Sequence, residues 1–211
     1  MLKFDPHIHS SYSYDCNSKI SDILKTARVK KLDVIAISDH NTVEGSKVAI
    51  KESKKFDDLL VIPSLEISSS KGHILALGVE ELIEKNLSPI DTIEKIHDFG
   101  GLAIIPHPFS FYREGVFSRV NPSTLKFDAI ETLNSKYFFG YSNYKAKKYA
   151  LKNNIPQIGS SDSHNLKSIG DCFTKLNCDL SIDSVFKAIK NRKTLPCGKG
   201  NSYFRKIFER N

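Results

Sequence analysis

The stretch that decides the fold is residues 33–40, which read Asp33-Val34-Ile35-Ala36-Ile37-Ser38-Asp39-His40. Its short apolar centre, rich in β-branched residues, predicts a buried strand, and that strand ends in polar and titratable side chains. Residues 59–63 and 102–105 repeat the arrangement, because one run leads to Glu66 and the other to His107. Parallel strands of a barrel end at one mouth, so we expect these side chains to meet there.

Helical segments alternate with the apolar runs along the chain. Amphipathic or basic helices are predicted over 18–31, 43–55, 141–153 and 182–191, and another begins at Ser88-Pro89 and ends at Gly100. The predicted strands are 2–9, 33–37, 59–63, 72–79, 102–105, 127–132 and 155–160, with a further edge strand at 172–176. This alternation favours a parallel sheet wrapped by helices, closed or nearly closed, in a single α/β domain over 1–211.

Composition limits the function classes. Of 211 residues, 40% are hydrophobic and 26% charged, and no apolar run is long enough to span a bilayer, so we expect no membrane association. The four cysteines form no C-x-x-C pair, and we interpret them as reduced thiols of a cytoplasmic protein. The formal net charge of +7 suits an anionic partner, although scattered lysines are common on surfaces.

Six of the seven histidines lie beside predicted strand ends, together with three carboxylates. Imidazole and carboxylate together suit Zn, Mn or Fe, and one ion takes three or four protein ligands. Nine candidates therefore predict two or three divalent ions that share a carboxylate. The candidate ligands are His7, His9, Asp15, His40, Glu66, His73, His107, Asp162 and His164.

Several of these motifs, in this order, resemble the PHP family, named for polymerase and histidinol phosphatase. They are His7-Ile8-His9, Ser38-Asp39-His40, the lone Glu66, the segment 103–108 that ends in Pro106-His107-Pro108, and Ser161-Asp162-Ser163-His164. The resemblance covers about residues 4–190 and leaves a basic tail at 192–211. It implies a distorted (β/α)7 TIM-like barrel with a three-metal centre.

The resemblance also implies how the ligands divide among the ions. His7, His9, Glu66 and Asp162 would hold the first ion. Glu66 would bridge to a second ion held by His73 and His107, and Asp15, His40 and His164 would hold the third. His73 carries over less directly than the others, because the spacing between the glutamate and the next histidine varies within the family.

Other polar residues are predicted around this centre. Arg113, Arg119 and Lys136 are candidate substrate-binding residues, since cations can grip a phosphate. Glu131 and Asn134 are expected to orient the ligands. Asp39 either does the same or protonates the leaving group. The candidate catalytic residues are Asp39, Glu66, Asp162 and His164.

The function predicted from these residues is that of a metal-dependent phosphoesterase, in which metal-activated hydroxide attacks a phosphate ester. The substrate is expected to be a phosphomonoester, a nucleotide or an oligonucleotide phosphate, and histidinol phosphate is the alternative. A non-catalytic RNA-binding module that resembles the barrel subunit of RNase P, and an amidohydrolase, are alternatives from other classes. Nucleic-acid binding, the metal and the oligomeric state stay open.

Overall fold

A computed structural model describes residues 1–137 and 140–199. The strands are β1 (Leu2–Ile8), β2 (Val34–Ile37), β3 (Leu60–Ile62), β4 (Ser64–Ser69), β5 (Gly72–Leu77), β6 (Leu102–Ile105), β7 (Ala129–Asn134), β8 (Gln157–Ser160), β9 (Cys172–Leu176) and β10 (Thr194–Gly198). The helices are α1 (Ile20–Val29), α2 (Glu44–Ser53), α3 (Pro89–Asp98), α4 (Tyr141–Asn153) and α5 (Ile182–Lys190). Two 3₁₀ turns, Val116–Ser118 and Pro122–Thr124, lie between β6 and β7.

The helices form where an apolar stripe recurs with helical spacing. In α1 that stripe is Ile20, Ile23, Leu24 and Ala27, all buried. Lys19 occupies the N-cap position of α1 and makes no side-chain hydrogen bond there. In α3 the prediction holds: Ser88 Oγ accepts the Asp91 N–H, and a proline follows the cap.

The strands form two five-stranded sheets, in the orders β10-β9-β1-β2-β3 and β4-β5-β6-β7-β8. Isolated parallel bridges join the sheets at two places, Ile8 with Ser163 and His40 with Glu66. The predicted α/β fold class is confirmed. Its strands form two sheets that the isolated bridges join. Both bridges lie at the carboxyl ends of β1 and β2, where the candidate ligands begin.

The sheets are mixed, which corrects the prediction of a parallel sheet. Strand β5 is antiparallel to β4 and β6, and β9 is antiparallel to β1 and β10. The reversed direction of β5 explains the position of His73. This residue lies near the amino end of its strand and pairs with Ser68 on β4. An antiparallel strand begins at the edge where its neighbour ends. His73 therefore lies at the same edge as the ligands that follow other strands.

Three apolar clusters hold the sheets and helices together. One joins strand residues from both sheets, such as Phe4, Leu75 and Ile104, to Val185 and Ile189 of α5. The sheets therefore face each other across a shared interior. The second cluster packs β4–β7 against α3 and the 3₁₀ turn at 116–118, and the third packs β1 and β2 against α1 and α2.

Part of the segment described from sequence as a basic tail belongs to the first sheet. Residues 194–198 form β10, which pairs with β9 from Thr194–Leu176 to Gly198–Cys172. The rest of that segment, from residue 200, lies outside the described residues. Among the described helices, none combines the length and apolar character needed to cross a lipid bilayer. All four cysteines are free thiols.

Candidate metal centre

Four predicted ligands surround one point at the mouth of the fold. His7 Nε2 and His9 Nε2 lie 3.0 Å apart, and Glu66 Oε2 is 3.2 Å from the first and 3.3 Å from the second. Asp162 Oδ1 is 3.7 Å from each of the two imidazole nitrogens. All four side chains are buried. This is the first ligand set that the sequence predicts.

Glu131, within β7, fixes the orientation of two ligands. Its Oε1 lies 2.8 Å from His7 Nδ1, and its Oε2 accepts the backbone N–H of His107 at 2.8 Å. Ser160 Oγ and Asn134 Nδ2 donate the remaining hydrogen bonds to the carboxylate. An ionised carboxylate only accepts, so His7 Nδ1 carries a proton and the ring turns its Nε2, the atom that a metal ion would take, towards the centre.

The other oxygen of Glu66 contacts the second predicted set. Glu66 Oε1 lies 3.1 Å from His73 Nδ1 and 3.0 Å from His107 Nε2. His40 Nδ1 also approaches the carboxylate, at 3.4 Å from Oε2. His40, Glu66 and His73 offer donor atoms within 4.8 Å of one another. Glu66 thus faces histidines through both oxygens, as a bridging carboxylate would.

The third predicted set also comes together. His164 Nε2 is 2.7 Å from Asp15 Oδ2, and His40 Nε2 is 3.5 Å from the same oxygen. His9 joins these three residues to form a group whose donor atoms lie within 4.8 Å of one another. His40 and His9 therefore each belong to two groups. The nine predicted ligands form one continuous cluster.

The surroundings of the histidines in the cluster shift their pKa values in opposite directions. Burial lowers the pKa of His7, but the carboxylates of Asp162 and Glu66 outweigh it and hold this pKa well above its ordinary value. Burial, assisted by the neighbouring His9, lowers the pKa of His40 to about 4 and that of His164 to about 4. His40 and His164 are therefore neutral at pH 7, the form in which imidazole binds a metal.

The two central carboxylates remain ionised despite burial. Burial raises the pKa of Glu66, but His7 and His73 hold it well below its ordinary value. Burial likewise raises the pKa of Asp162, and His7 and Arg113 lower it well below the ordinary range. The cluster therefore holds anionic oxygen and imidazole nitrogen together in a buried place.

Backbone strain marks two of the predicted ligands. His107 has a φ of 31° and Asp162 a φ of 50°, in the left-handed region that non-glycine residues seldom occupy. Each follows a strand, and the turn there aims the side chain back over the strand end. Such strain persists where surrounding contacts over-determine it, and it concentrates at functional sites.

The predicted substrate-binding residues have different positions. Arg113 forms a two-point ion pair with Asp162, with Nη2 2.9 Å from Oδ1 and Nη1 2.5 Å from Oδ2. Lys136 Nζ contacts His164 Nδ1. Arg119 is exposed after the first 3₁₀ turn, and its side chain makes no polar contact with the cluster among the described residues. The structure brings the first two to the centre and leaves Arg119 outside it.

Asp39 lies beside His40 in sequence, but its carboxylate faces elsewhere. Its oxygens accept the backbone N–H and the hydroxyl of Ser10, both at 2.6 Å, and the side chain is buried. Of the two predicted roles, this geometry fits orientation of the His9 loop and does not fit protonation of a leaving group. Sequence analysis missed Ser10, and Ser13 whose Oγ lies 3.2 Å from His9 Nδ1, because serines are common at strand ends.

The donor set fits a divalent metal ion. A tetrahedral ion with bonds of about 2.1 Å has ligand atoms about 3.4 Å apart, close to the separations found among His7, His9, Glu66 and Asp162. Mixed nitrogen and oxygen donors suit Zn, Mn or Fe. The predicted number of ions and their identity remain predictions, and so does the division of the ligands among them.

Comparison with known proteins identifies the family. A family model described as the PHP domain matches residues 5–121, and one described as PHP-associated matches residues 140–194. The chain belongs to the PHP family. An uncharacterized protein of Methanocaldococcus jannaschii is 38% identical over 166 residues, which cover 74% of this chain and 95% of the relative. A second uncharacterized protein of the same archaeon is 28% identical and is covered over 73% of its length.

Solved structures share the PHP fold. A two-domain protein from Bacteroides vulgatus, described as containing a predicted PHP-like metal-dependent phosphoesterase, superposes with a TM-score of 0.79 at 20% identity. The match covers 93% of this PHP chain and 64% of that one. PsfC from Pseudomonas syringae superposes with a TM-score of 0.70 at 14% identity, over 99% of this chain and 96% of PsfC. Likeness at these identities establishes the fold alone.

Proposed function

We propose that this PHP protein is a metal-dependent phosphoesterase that hydrolyses a phosphomonoester or a nucleotide or oligonucleotide phosphate. The observation that carries the proposal is the convergence of four buried donor atoms, from His7, His9, Glu66 and Asp162, at separations of 3.0–3.7 Å. When bound there, divalent ions lower the pKa of a coordinated water and neutralise charge on phosphate oxygens. Five further predicted ligands extend the cluster towards the surface.

The protein's own side chains supply positioning and charge. Glu131 fixes the ring of His7 through Nδ1, and Arg113 fixes both oxygens of Asp162. Lys136 lies half-buried beside His164, where its ammonium group can pair with a phosphate oxygen. We propose Glu66, Asp162 and His164 as catalytic residues through the ions that they hold, and Arg113 and Lys136 as the groups nearest to a bound phosphate.

The direct test is hydrolysis of p-nitrophenyl phosphate and bis(p-nitrophenyl) phosphate by protein stripped with a chelator and then reloaded. We expect stripping to abolish activity and Mn²⁺, Zn²⁺ or Fe²⁺ to restore it. Glu66→Gln should not respond to metal, whereas Glu94→Gln, on the exposed side of α3, should behave as wild type. Activity that survives stripping at its original rate would refute the proposal.

A substrate panel separates the alternatives within the class. Histidinol phosphate, sugar phosphates, nucleotides and dinucleotides should be compared at equal concentration with the reloaded protein. A strong preference for histidinol phosphate would favour that alternative, and cleavage of amides alone would favour an amidohydrolase. A protein that binds no metal at all and binds RNA would indicate the non-catalytic module.

A further inference from the structure

Helix α4 carries an exposed surface that differs from the other described helices. Tyr141, Tyr144, Lys145 and Lys148 recur at the three- and four-residue spacing that places side chains on one helical face, which we call the Tyr–Lys face. The two tyrosines are 65% and 62% exposed. The sequence assigns these residues to a basic helix, and the metal centre does not use them.

The charge of α4 is one-sided. Its thirteen residues contain four lysines and no aspartate or glutamate, whereas each of the other four described helices contains at least one acid. Three lysines on other helices have acidic partners, namely Lys25 with Asp22, Lys47 with Glu44 and Lys95 with Glu84. Among the described residues, the lysines of α4 form no ion pair. The face therefore presents unneutralised positive charge to solvent.

The helix that carries the Tyr–Lys face is tied to the metal centre by hydrogen bonds from another side of the helix. Asn143 on α4 accepts the backbone N–H of Asn134 and donates to the Asn134 carbonyl, both at 3.0 Å. Asn134 in turn donates through Nδ2 to Glu131 and to Asp162, both at 2.9 Å. A single residue, Asn134, thus connects the amino end of α4 to the predicted metal ligand Asp162 by hydrogen bonds.

A second contact ties the face to the segment after His107. Lys145 Nζ lies 4.8 Å from the ring centre of Phe109 and 5.9 Å from that of Tyr141, within cation–π range. Ser142 Oγ contacts the Phe109 carbonyl oxygen at 3.4 Å. Lys145 therefore lies near two rings, one of which belongs to the segment that follows the predicted ligand His107.

We propose that the Tyr–Lys face binds single-stranded nucleic acid next to the phosphate that lies at the metal centre. Lysines pair with backbone phosphates, and exposed tyrosines offer flat surfaces on which unpaired bases stack without regard to sequence. Exposed rings interleaved with lysines that form no ion pair favour a single strand over a duplex, because the bases of a duplex are stacked on one another and cannot stack on the rings. The inference deepens the proposed function, on which it rests for the position of the reacting phosphate.

The test is fluorescence anisotropy of the whole protein with labelled 12-mers of dT and of U, in EDTA so that no turnover occurs. Exchange of two phosphate-pairing lysines in K145Q/K148Q should weaken binding at least about tenfold and reduce the slope of log K against log salt by about 1.4. Tyr144→Ala should weaken binding roughly fivefold or more, whereas Tyr144→Phe should retain it.

The matched control is K51Q/K54Q, which removes two exposed lysines from α2 and its C-cap and should leave oligonucleotide affinity unchanged. Circular dichroism verifies that every variant is folded. Comparison of dT with U distinguishes DNA from RNA as the source of the strand. A 12-base-pair duplex should bind more weakly than the single strand.

Several results would overturn the inference. These are wild-type affinity in the α4 variants, no binding of either 12-mer by wild type, or binding of phosphatidylserine vesicles but not of oligonucleotides. Failure of the proposed function would look different. Wild-type protein would then hydrolyse no phosphate ester with any metal, and the effect of the α4 variants on binding in EDTA would still be measured.

Discussion

Glu131 holds two of the predicted ligands in place without being a predicted ligand itself. It contacts the His7 ring, the His107 backbone, Ser160 and Asn134, and it is fully buried. Four hydrogen-bond donors surround this carboxylate. If an amide replaced it, the amide NH₂ group would face at least one of these donors and could not accept its hydrogen bond. His7 would then lose the partner that sets its tautomer.

We therefore expect Glu131→Gln to weaken metal binding by roughly 10- to 100-fold, the usual effect of removing a partner that orients a metal ligand. Isothermal titration of stripped protein with Zn²⁺ and Mn²⁺ measures this change. Glu94→Gln makes the same chemical change on an exposed helix face and should bind metal as wild type does. Equal metal affinity in Glu131→Gln would show that the hydrogen bond to His7 does not orient the ligand.

At the residue scale, the positions of His40 and His107 were predictable, because each follows a short apolar run that indicates a strand end. The contacts of Arg113 and Asp39 were not predictable. The ion pair between Arg113 and Asp162 joins residues 49 positions apart, and only the path of the loop after β6 brings them together. The role of Asp39 likewise depends on Ser10, 29 residues away.

At the scale of the elements, helix α2 packs closely against Asp39 and Ser10 at a glycine, Gly45. A β-carbon at Gly45 would lie 2.0 Å from Asp39 Oδ2 and 2.8 Å from Ser10 Oγ. The helix can therefore approach the carboxylate that holds the His9 loop only because Gly45 has no side chain. This close approach explains a glycine in the first turn of a helix, where it otherwise weakens helix formation.

Gly45→Ala should destabilise the protein, although the same change in a free helix stabilises by about 0.5–1 kcal/mol. We expect overpacking to cost about 1–3 kcal/mol in the free energy of unfolding, measured by urea denaturation. In an Asp39→Ala background the closest clash is absent and the contact with Ser10 Oγ remains, so Gly45→Ala should then cost less. Additive effects in this double-mutant cycle would contradict the proposed contact.

The elements were predicted unevenly, for physical reasons. The bounds of α4 agree with the prediction at both ends, since Asn154 in a left-handed conformation stops the helix. Strand β4 was missed, although its sequence Ser-Leu-Glu-Ile-Ser-Ser alternates polar and apolar residues over its first five positions, as a half-buried strand does. Pairing with β5 across the short turn at Ser70 and Lys71 stabilises it as a hairpin.

For the molecule as a whole, the predicted ligands come from both sheets. His7, His9 and His40 follow or end strands of the first sheet, whereas Glu66 and His73 lie on strands of the second. Among the described residues, the strand pairing between the two sheets near these ligands consists of two isolated bridges. An ion bound to this cluster would therefore crosslink the two sheets.

We expect Zn²⁺ or Mn²⁺ to raise the melting temperature of EDTA-stripped protein. Ligand at 100 times its dissociation constant stabilises by about 2.7 kcal/mol, which corresponds to roughly 5–10 °C for a chain of this size. Differential scanning calorimetry measures the shift, and Mg²⁺, which prefers all-oxygen sites, should shift the transition less. No shift with Zn²⁺, Mn²⁺ or Fe²⁺ would mean that the cluster does not bind these ions in the folded state.

The position of β1 also has a consequence for how the chain is made. β1 is synthesised before the other nine described strands, yet it lies between β2 and β9, and its neighbour at the Ile8–Ser163 bridge is more than 150 residues away. Such pairing gives a high contact order and slow folding. During synthesis, the nascent chain therefore exposes His7 and His9 as a partial chelator until Glu131 and Asp162 have been translated.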